Sequence, residues 1–474
     1  MRWIAVALAC SAGCAQLFGI EETSSGASST LELQRVSVGA MVATAPLDLA
    51  AAPSFLDATG TTAVTATSTA AGQWSAPVAM PLAAVYTAPD LPMPFQHALE
   101  LGVATQRASF VAFEHPSPQP APASTVMVNV TLPGAYASEQ TLQVLAVGAW
   151  TSHLLAGAEL PAVGTAAIAT TIPYASFQPV TASPAARITA QDVVVVLRYT
   201  GPTLTGQLIV PAFDQSTTSD TIMGTMAAVT PAAPFDAMID PATAATRLAA
   251  TMPASTTPAF RWELDAMPGY SAGALLGVRL DGASLAMTDT SIAKTYANPF
   301  LAQGWGAVLT YEASASRTYM IGTTPVALAA SLAMYVADPQ PGLVLDLPAA
   351  LPKAIALAGQ PLAMDGMTVT LDPTQPADVE VTIDNASASS VYAVTLEEIA
   401  LVGGTLMRTP VVDVAATGSH LVLPPNVLQP GHTYTLIASC VAGGYPNAAS
   451  GDVQTFSLPA SVGTASSAVF TVSP

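Results

Sequence analysis

The chain has 474 residues, of which 51% are hydrophobic and only 9% charged, and its 31 acidic side chains outnumber 12 basic ones to give a formal net charge of −19. Such an excess repels polyanions, which argues against nucleic acid and bare anionic membrane as partners of the folded body. The length exceeds what one core supports and predicts several domains of about 100–150 residues each, with Thr, Ser, Gln and Asn carrying solubility on exposed strand faces.

At the start, Arg2 precedes an apolar stretch from Trp3 to Ala9, and small residues then lead to Cys14, the order of a secretory signal. The stretch is too short to cross a bilayer as a helix. Ser11-Ala12-Gly13-Cys14 resembles a bacterial lipobox, departing from it at Ser11, where leucine is commonest. The resemblance implies a signal peptide over 1–13, lipid on Cys14 and a flexible Ser/Gly-rich tether over 14–30. Ala15 to Glu22 looks like the mature start of envelope lipoproteins of myxobacteria and their relatives, and Ala15 in place of Asp suits outer-membrane sorting. Cleavage after the small residues Gly13-Cys14-Ala15 is the alternative and would release a soluble secreted protein. Cys10 is a poorer lipidation site because almost no signal precedes it. Loss of Arg2 takes the charge from −19 to −20.

Beyond the tether, short Val, Thr, Leu and Ala runs alternate and break at Pro, Gly or Asp about every 8–12 residues, and helical periodicity with caps is nearly absent. The fold class expected is all-β, a tandem array of antiparallel β-sandwiches of immunoglobulin-like or fibronectin III-like type. Breaks at 115–122, 230–234 and 338–342 give segments 31–115, 124–230, 246–340 and 343–474. In the first, residues 61–67 and 72–75 read as strands around a turn, and the segment distantly resembles transthyretin-like or carboxypeptidase-regulatory sandwiches. In the second, residues 126–132 and 192–199 are the firmest strands, and Val193-Val194-Val195-Val196-Leu197 predicts burial on both faces. In the third, residues 275–280 run into Asp281-Gly282, read as a hairpin turn. The uncharged run from Tyr319 to Ala337 is interrupted by Gly322 and Pro325 and reads as two strands instead of a membrane span. An outer-membrane barrel is disfavoured by an aromatic content of 6% without girdle spacing.

In the fourth segment, Leu428-Gln429-Pro430-Gly431-His432-Thr433-Tyr434 resembles the tyrosine corner of fibronectin type III and related immunoglobulin-like domains. There the tyrosine hydroxyl bonds back to the backbone at the start of a strand. Leu436 stands two beyond the tyrosine, where immunoglobulin domains often carry a disulfide cysteine, so a disulfide-free relative is implied. Residues 379–383 and 468–472 supply further strands. The resemblance covers about a quarter of the chain and implies a scaffold, not an activity.

Few residues suggest chemistry. Gly269-Tyr270-Ser271-Ala272-Gly273 matches the Gly-x-Ser-x-Gly elbow of α/β-hydrolases, yet Pro268-Gly269 before it and a strand after it are the wrong context, so a loop is the plainer reading. His97, His115, His153, His420 and His432 lack chelating spacing, which leaves surface or local hydrogen-bonding roles. Asp378, Glu380, Asp384 and Asn385 could offer oxygen to calcium, but without a Gly-rich loop or an Asp-x-Asp-x-Asn pattern they read as a solvated face. Glu397-Glu398 reads as an exposed acidic pair. Cys440, in phase with Tyr434, Leu436 and Ala438, reads as a buried thiol. Trp74, Trp150, Trp262 and Trp305 would stack on sugars if exposed and anchor cores if buried.

The reading is therefore a non-catalytic lipoprotein of the bacterial outer membrane, on its periplasmic or surface face, that serves as a structural or interaction module. No catalytic, cofactor-binding or metal residues are assigned. Its contacts are the membrane, through the lipid on Cys14, and a protein or glycan ligand. The alternatives are an adhesin or carbohydrate-binding surface protein and, further off, a serine hydrolase using Ser271. Laid end to end, four sandwiches of this size would extend beyond about 100 Å.

Overall fold

A computed structural model describes residues 28–87, 96–112, 122–180, 186–210, 212–216, 218–253, 255–269, 276–384 and 389–473. The export segment with Cys14, the residues around His115, the loop with Ser271, and Asn385 lie outside the described residues. Strands dominate and stack as several sheets, so the chain is an all-β, multi-sheet sandwich with one α-helix among the described residues.

Alternation turns directly into layers in the second segment. Along Thr125–Thr131, Val126, Val128 and Val130 are buried while Met127, Asn129 and Thr131 are exposed, as a two-residue period requires. This strand pairs with Ala167–Pro173 and Ser219–Thr225 in one sheet. The facing sheet holds Gln140–Val147, Val193–Thr200 and Thr203–Val210, and the two layers share one core. In the strand Val193–Thr200, Val194 and Val196 enter that core, whereas Val195, Leu197 and Tyr199 enter a second core on the opposite face. The double burial expected of the valine run is present, and its cause is a neighbour packed on the sheet's outer side.

That second core draws on all four segments. Trp262, Leu264, Leu309 and Tyr311 come from the third, Val36 and Val38 from the first, and Ile399, Ala465 and Val469 from the fourth. The strand Ser29–Val38 straddles two cores, with Leu31 and Leu33 in the core of the first segment and Val36 and Val38 in the shared one.

The residues from Tyr319 to Ala337 fall in two strands, as their Gly and Pro breaks predict. Gly306–Ile321 pairs with Thr324–Ala337 through to Ile321↔Thr324, and Gly322 at φ 62° makes the two-residue turn.

Sheet continuity departs from beads on a string. One 14-stranded sheet runs from Val278–Leu285 through Ala259–Met267, Gly306–Ile321 and Thr324–Ala337 into Ala460–Ser466, Thr433–Gly443, Ser389–Val402 and Thr405–Ala416. It then continues into Gln96–Glu100 and Ala83–Thr87. Two seams make it continuous. Thr324–Ala337 pairs antiparallel with Ala460–Ser466, and Thr405–Ala416 pairs parallel with Gln96–Glu100. At the first seam Gly463 is required, because a Cβ there would lie 2.2 Å from the carbonyl oxygen of Ala350. Strand edges that four separate sandwiches would have to protect are paired with one another instead.

Two local readings are corrected. Asp281-Gly282 is not a turn: both residues lie inside the strand Val278–Leu285, which pairs with Ala259–Met267 across a bulge at Leu264/Asp265. The Asp281 carboxylate accepts from the Gly282 N–H at 2.9 Å and from the Thr203 hydroxyl at 2.8 Å, so the side chain that suggested a turn holds the second segment to the third. The helix Pro241–Thr251 was not expected, although its signal is present. Asp240 caps it by accepting from the Thr243 N–H at 3.0 Å, and Pro241 occupies the first turn.

Candidate binding cleft

The parallel seam between the first and fourth segments places polar side chains in a row. Register aligns Tyr86 with His97, His97 with Asp413, and Asp413 with Thr395 on four adjacent strands, so the four side chains share one face of the sheet. The rings of Tyr86 and His97 stack at 5.1 Å with an 18° interplanar angle. His97 Nδ1 lies 3.8 Å from one oxygen of Asp413, and the other oxygen accepts from the Thr395 hydroxyl at 2.9 Å.

Over this row lies a cleft of about 210 Å³, lined on the opposite layer by Ala108, Ser109 and Phe110 and at its side by Tyr445. Tyr445 meets the ring of Phe456 edge-on at 5.2 Å. Burial, with the Asp413 carboxylate adding to it, raises the Tyr86 phenol well above its ordinary range and pushes Tyr445 up to about 12. Both phenols therefore keep their protons and stay neutral beside a carboxylate. Ser109 is held by a hydrogen bond from Gln34 Nε2 at 2.7 Å. The volume is below the roughly 300–1,000 Å³ of drug-sized sites and suits a small polar ligand with an apolar face.

The residues singled out from sequence fall elsewhere. Trp74, Trp150, Trp262 and Trp305 are all buried and act as core anchors, so none offers a face to a sugar. Cys440 is fully buried, and burial pushes its thiol up to about 12, which agrees with an inert core cysteine. His153 pairs with Glu159 at 2.8 Å, His432 with Glu398 at 2.8 Å, and His420 lies 3.8 Å from Asp378.

Glu397-Glu398 is not a bare acidic pair, since Glu397 meets Arg408 while Glu398 meets His432. Asp384 is not part of a solvated face. It takes a two-pronged ion pair from Arg247, at 2.6 and 3.2 Å, and the N–H of Leu351 at 2.7 Å. Burial alone would raise its pKa, but the Arg247 hydrogen bonds and charge together with the Leu351 N–H hold it below the usual carboxylate range. Among the described residues no three of His, Cys, Asp and Glu gather as a metal-binding group.

Nothing local in the sequence marks Asp413, Tyr86 or Tyr445 or joins them to His97, because a pairing between strands of the first and last segments leaves no trace along the chain. Searches with protein-family models and against curated protein sequences found no match to this chain.

Proposed function

We propose that this chain is a non-catalytic, lipid-anchored protein of the bacterial envelope whose fused sandwiches act as a rigid structural and interaction platform. The observation that carries the platform reading is the 14-stranded sheet, which draws strands from three of the four segments. The anchor reading rests on Cys14 and its small-residue approach. A tether from Cys14 would join the folded body at Ser29–Val38, whose residues enter two cores. Tension on the lipid would then load the body at its joint instead of peeling away one end domain.

Expression of the precursor with labelled palmitate in a Gram-negative host, beside Cys14→Ser, tests the anchor. Label lost in the variant is the expected result. An unlabelled mature protein beginning at Gln16 would establish a secreted platform instead.

Glycan recognition is a second reading, and the cleft favours it over the tryptophans. Stacked rings beside a carboxylate and neutral phenols are the groups that hold sugar hydroxyls and the apolar face of a pyranose. A monosaccharide panel measured by ligand-detected NMR should give binding that is lost in Asp413→Asn. No binding by wild-type protein would end this reading and leave the platform reading untouched.

A further inference from the structure

The surface is unusual in the kind of apolar residue it exposes. Of the 16 methionines in the chain, Met1 and Met93 lie outside the described residues, and nine of the others are exposed. Met41, Met364 and Met223 are the most open, at 76%, 74% and 66%. Met80, Met238 and Met287 are more than half exposed as well, and Met127, Met320 and Met407 complete the set. Only Leu154, Leu301 and Leu401 are exposed among the described leucines, and no described isoleucine or phenylalanine is. Scattered apolar surface, which here includes Val42, Val163, Val180, Val344 and Val402, needs no explanation, but the excess of methionine over leucine, isoleucine and phenylalanine does.

The complementary observation concerns the other oxidisable side chains. The four described tryptophans and Cys440 are buried, and no described tyrosine is exposed. Residues whose oxidation is irreversible or would break a core are thus inside, while the thioether, whose sulfoxide can be reduced back by methionine sulfoxide reductases, is outside. None of the nine exposed methionines belongs to a buried core cluster. Met127 and Met223 lie on adjacent strands, opposite Thr221 and Asn129 respectively, on the outer face of the second sandwich, and Met320 lies one residue from the end of its strand in the long hairpin.

From this partition we propose that the exposed methionines form an oxidant sink, consuming two-electron oxidants of the hypohalous acid and peroxide classes. With hypochlorous acid each thioether sulfur takes one oxygen and gives up two electrons, yielding methionine sulfoxide, chloride and a proton. The proposal rests on exposure alone and is independent of the anchor and of the cleft.

The test is a titration of the folded mature protein with hypochlorous acid, followed by intact mass, peptide mapping and circular dichroism, in the presence of a tyrosine-reporting bystander protein. Peptide mapping should find the nine exposed methionines of the described residues oxidised first, while Met226, Met252, Met267, the four described tryptophans and Cys440 stay unmodified and the melting curve is retained. A variant with all nine replaced by leucine should delay bystander chlorination by about nine fewer equivalents than wild type. If that variant does not fold, Met127→Leu/Met223→Leu should lose two equivalents. Unfolding, or tryptophan or tyrosine modification within the first nine equivalents, would overturn the proposal. So would equal protection of the bystander by a folded leucine variant.

Discussion

Trp305 donates its indole N–H to the carbonyl oxygen of Ala40 at 2.8 Å, tying the third segment to the residues just after the first strand. Trp150 does the same from the second segment, donating to the carbonyl of Val38 at 2.5 Å. Both indoles are buried in the shared core, so the first strand is gripped by polar contacts that water cannot replace.

Replacing Trp305 with Phe keeps an aromatic ring but removes the donor and leaves the Ala40 carbonyl buried without it. A loss of about 1–3 kcal/mol is expected, read as a lower denaturant midpoint in urea unfolding. Because the contact joins segments, the whole transition should move. A change confined to a minor early phase would mean that the contact is local.

Glu100 gives a pH dependence with a defined sign. It lies in the strand next to Asp413 and accepts the Val422 N–H at 2.8 Å. Burial raises its pKa from 4.5 to about 8, with the Val422 hydrogen bond acting the other way and Asp378 adding to the rise. The folded state therefore binds the proton more tightly than the unfolded state. This contribution is fully present below about 4.5, falls as pH rises toward about 8, and levels off above it. The loss across that window is at most roughly 3–5 kcal/mol. Glu100→Gln, which keeps an acceptor for Val422, should flatten the slope of stability against pH. An unchanged slope would contradict the assignment.

Asp384, the partner of Arg247, acts in the opposite direction. Arg247 also donates to the carbonyls of Leu347 and Ala349, at 2.7 and 2.6 Å, so the helix is fastened to the start of the fourth segment. Asp384 has a lowered pKa, so its contribution is present above the unfolded value and is lost as pH falls through the folded one. Asp384→Asn should cost about 2–3 kcal/mol, the lower side of the effect of breaking a buried pair because both side chains keep some solvent. The midpoint difference from wild type in denaturant titrations should shrink in acid.

The parts of this fold that were legible in the sequence are those fixed by neighbours along the chain. Alternation placed Val126, Val128 and Val130 inside. The uninterrupted valines at 193–196 signalled a strand covered on both sides. The tyrosine corner closes as its motif implies, with the Gln429 N–H donating to the Tyr434 hydroxyl at 2.9 Å. What stayed hidden depends on pairing between remote strands. Ser331 and Thr464 have the polarity of exposed strand positions, yet their hydroxyls meet at 2.7 Å across the seam between the third and fourth segments. His97 and Asp413 become neighbours only because Gln96–Glu100 docks beside Thr405–Ala416. Asp281-Gly282 misled because a composition that favours turns can also serve a strand when its carboxylate has a partner, here Thr203, on the next layer.

Differential scanning calorimetry of the mature protein, alone and as Trp305→Phe, tests most directly whether the segments form one body. A shared core and a continuous sheet predict a single transition whose calorimetric and van't Hoff enthalpies agree, shifted as a whole by the substitution. Three or four resolved transitions, with only one displaced by Trp305→Phe, would show independent sandwiches and contradict the rigid platform.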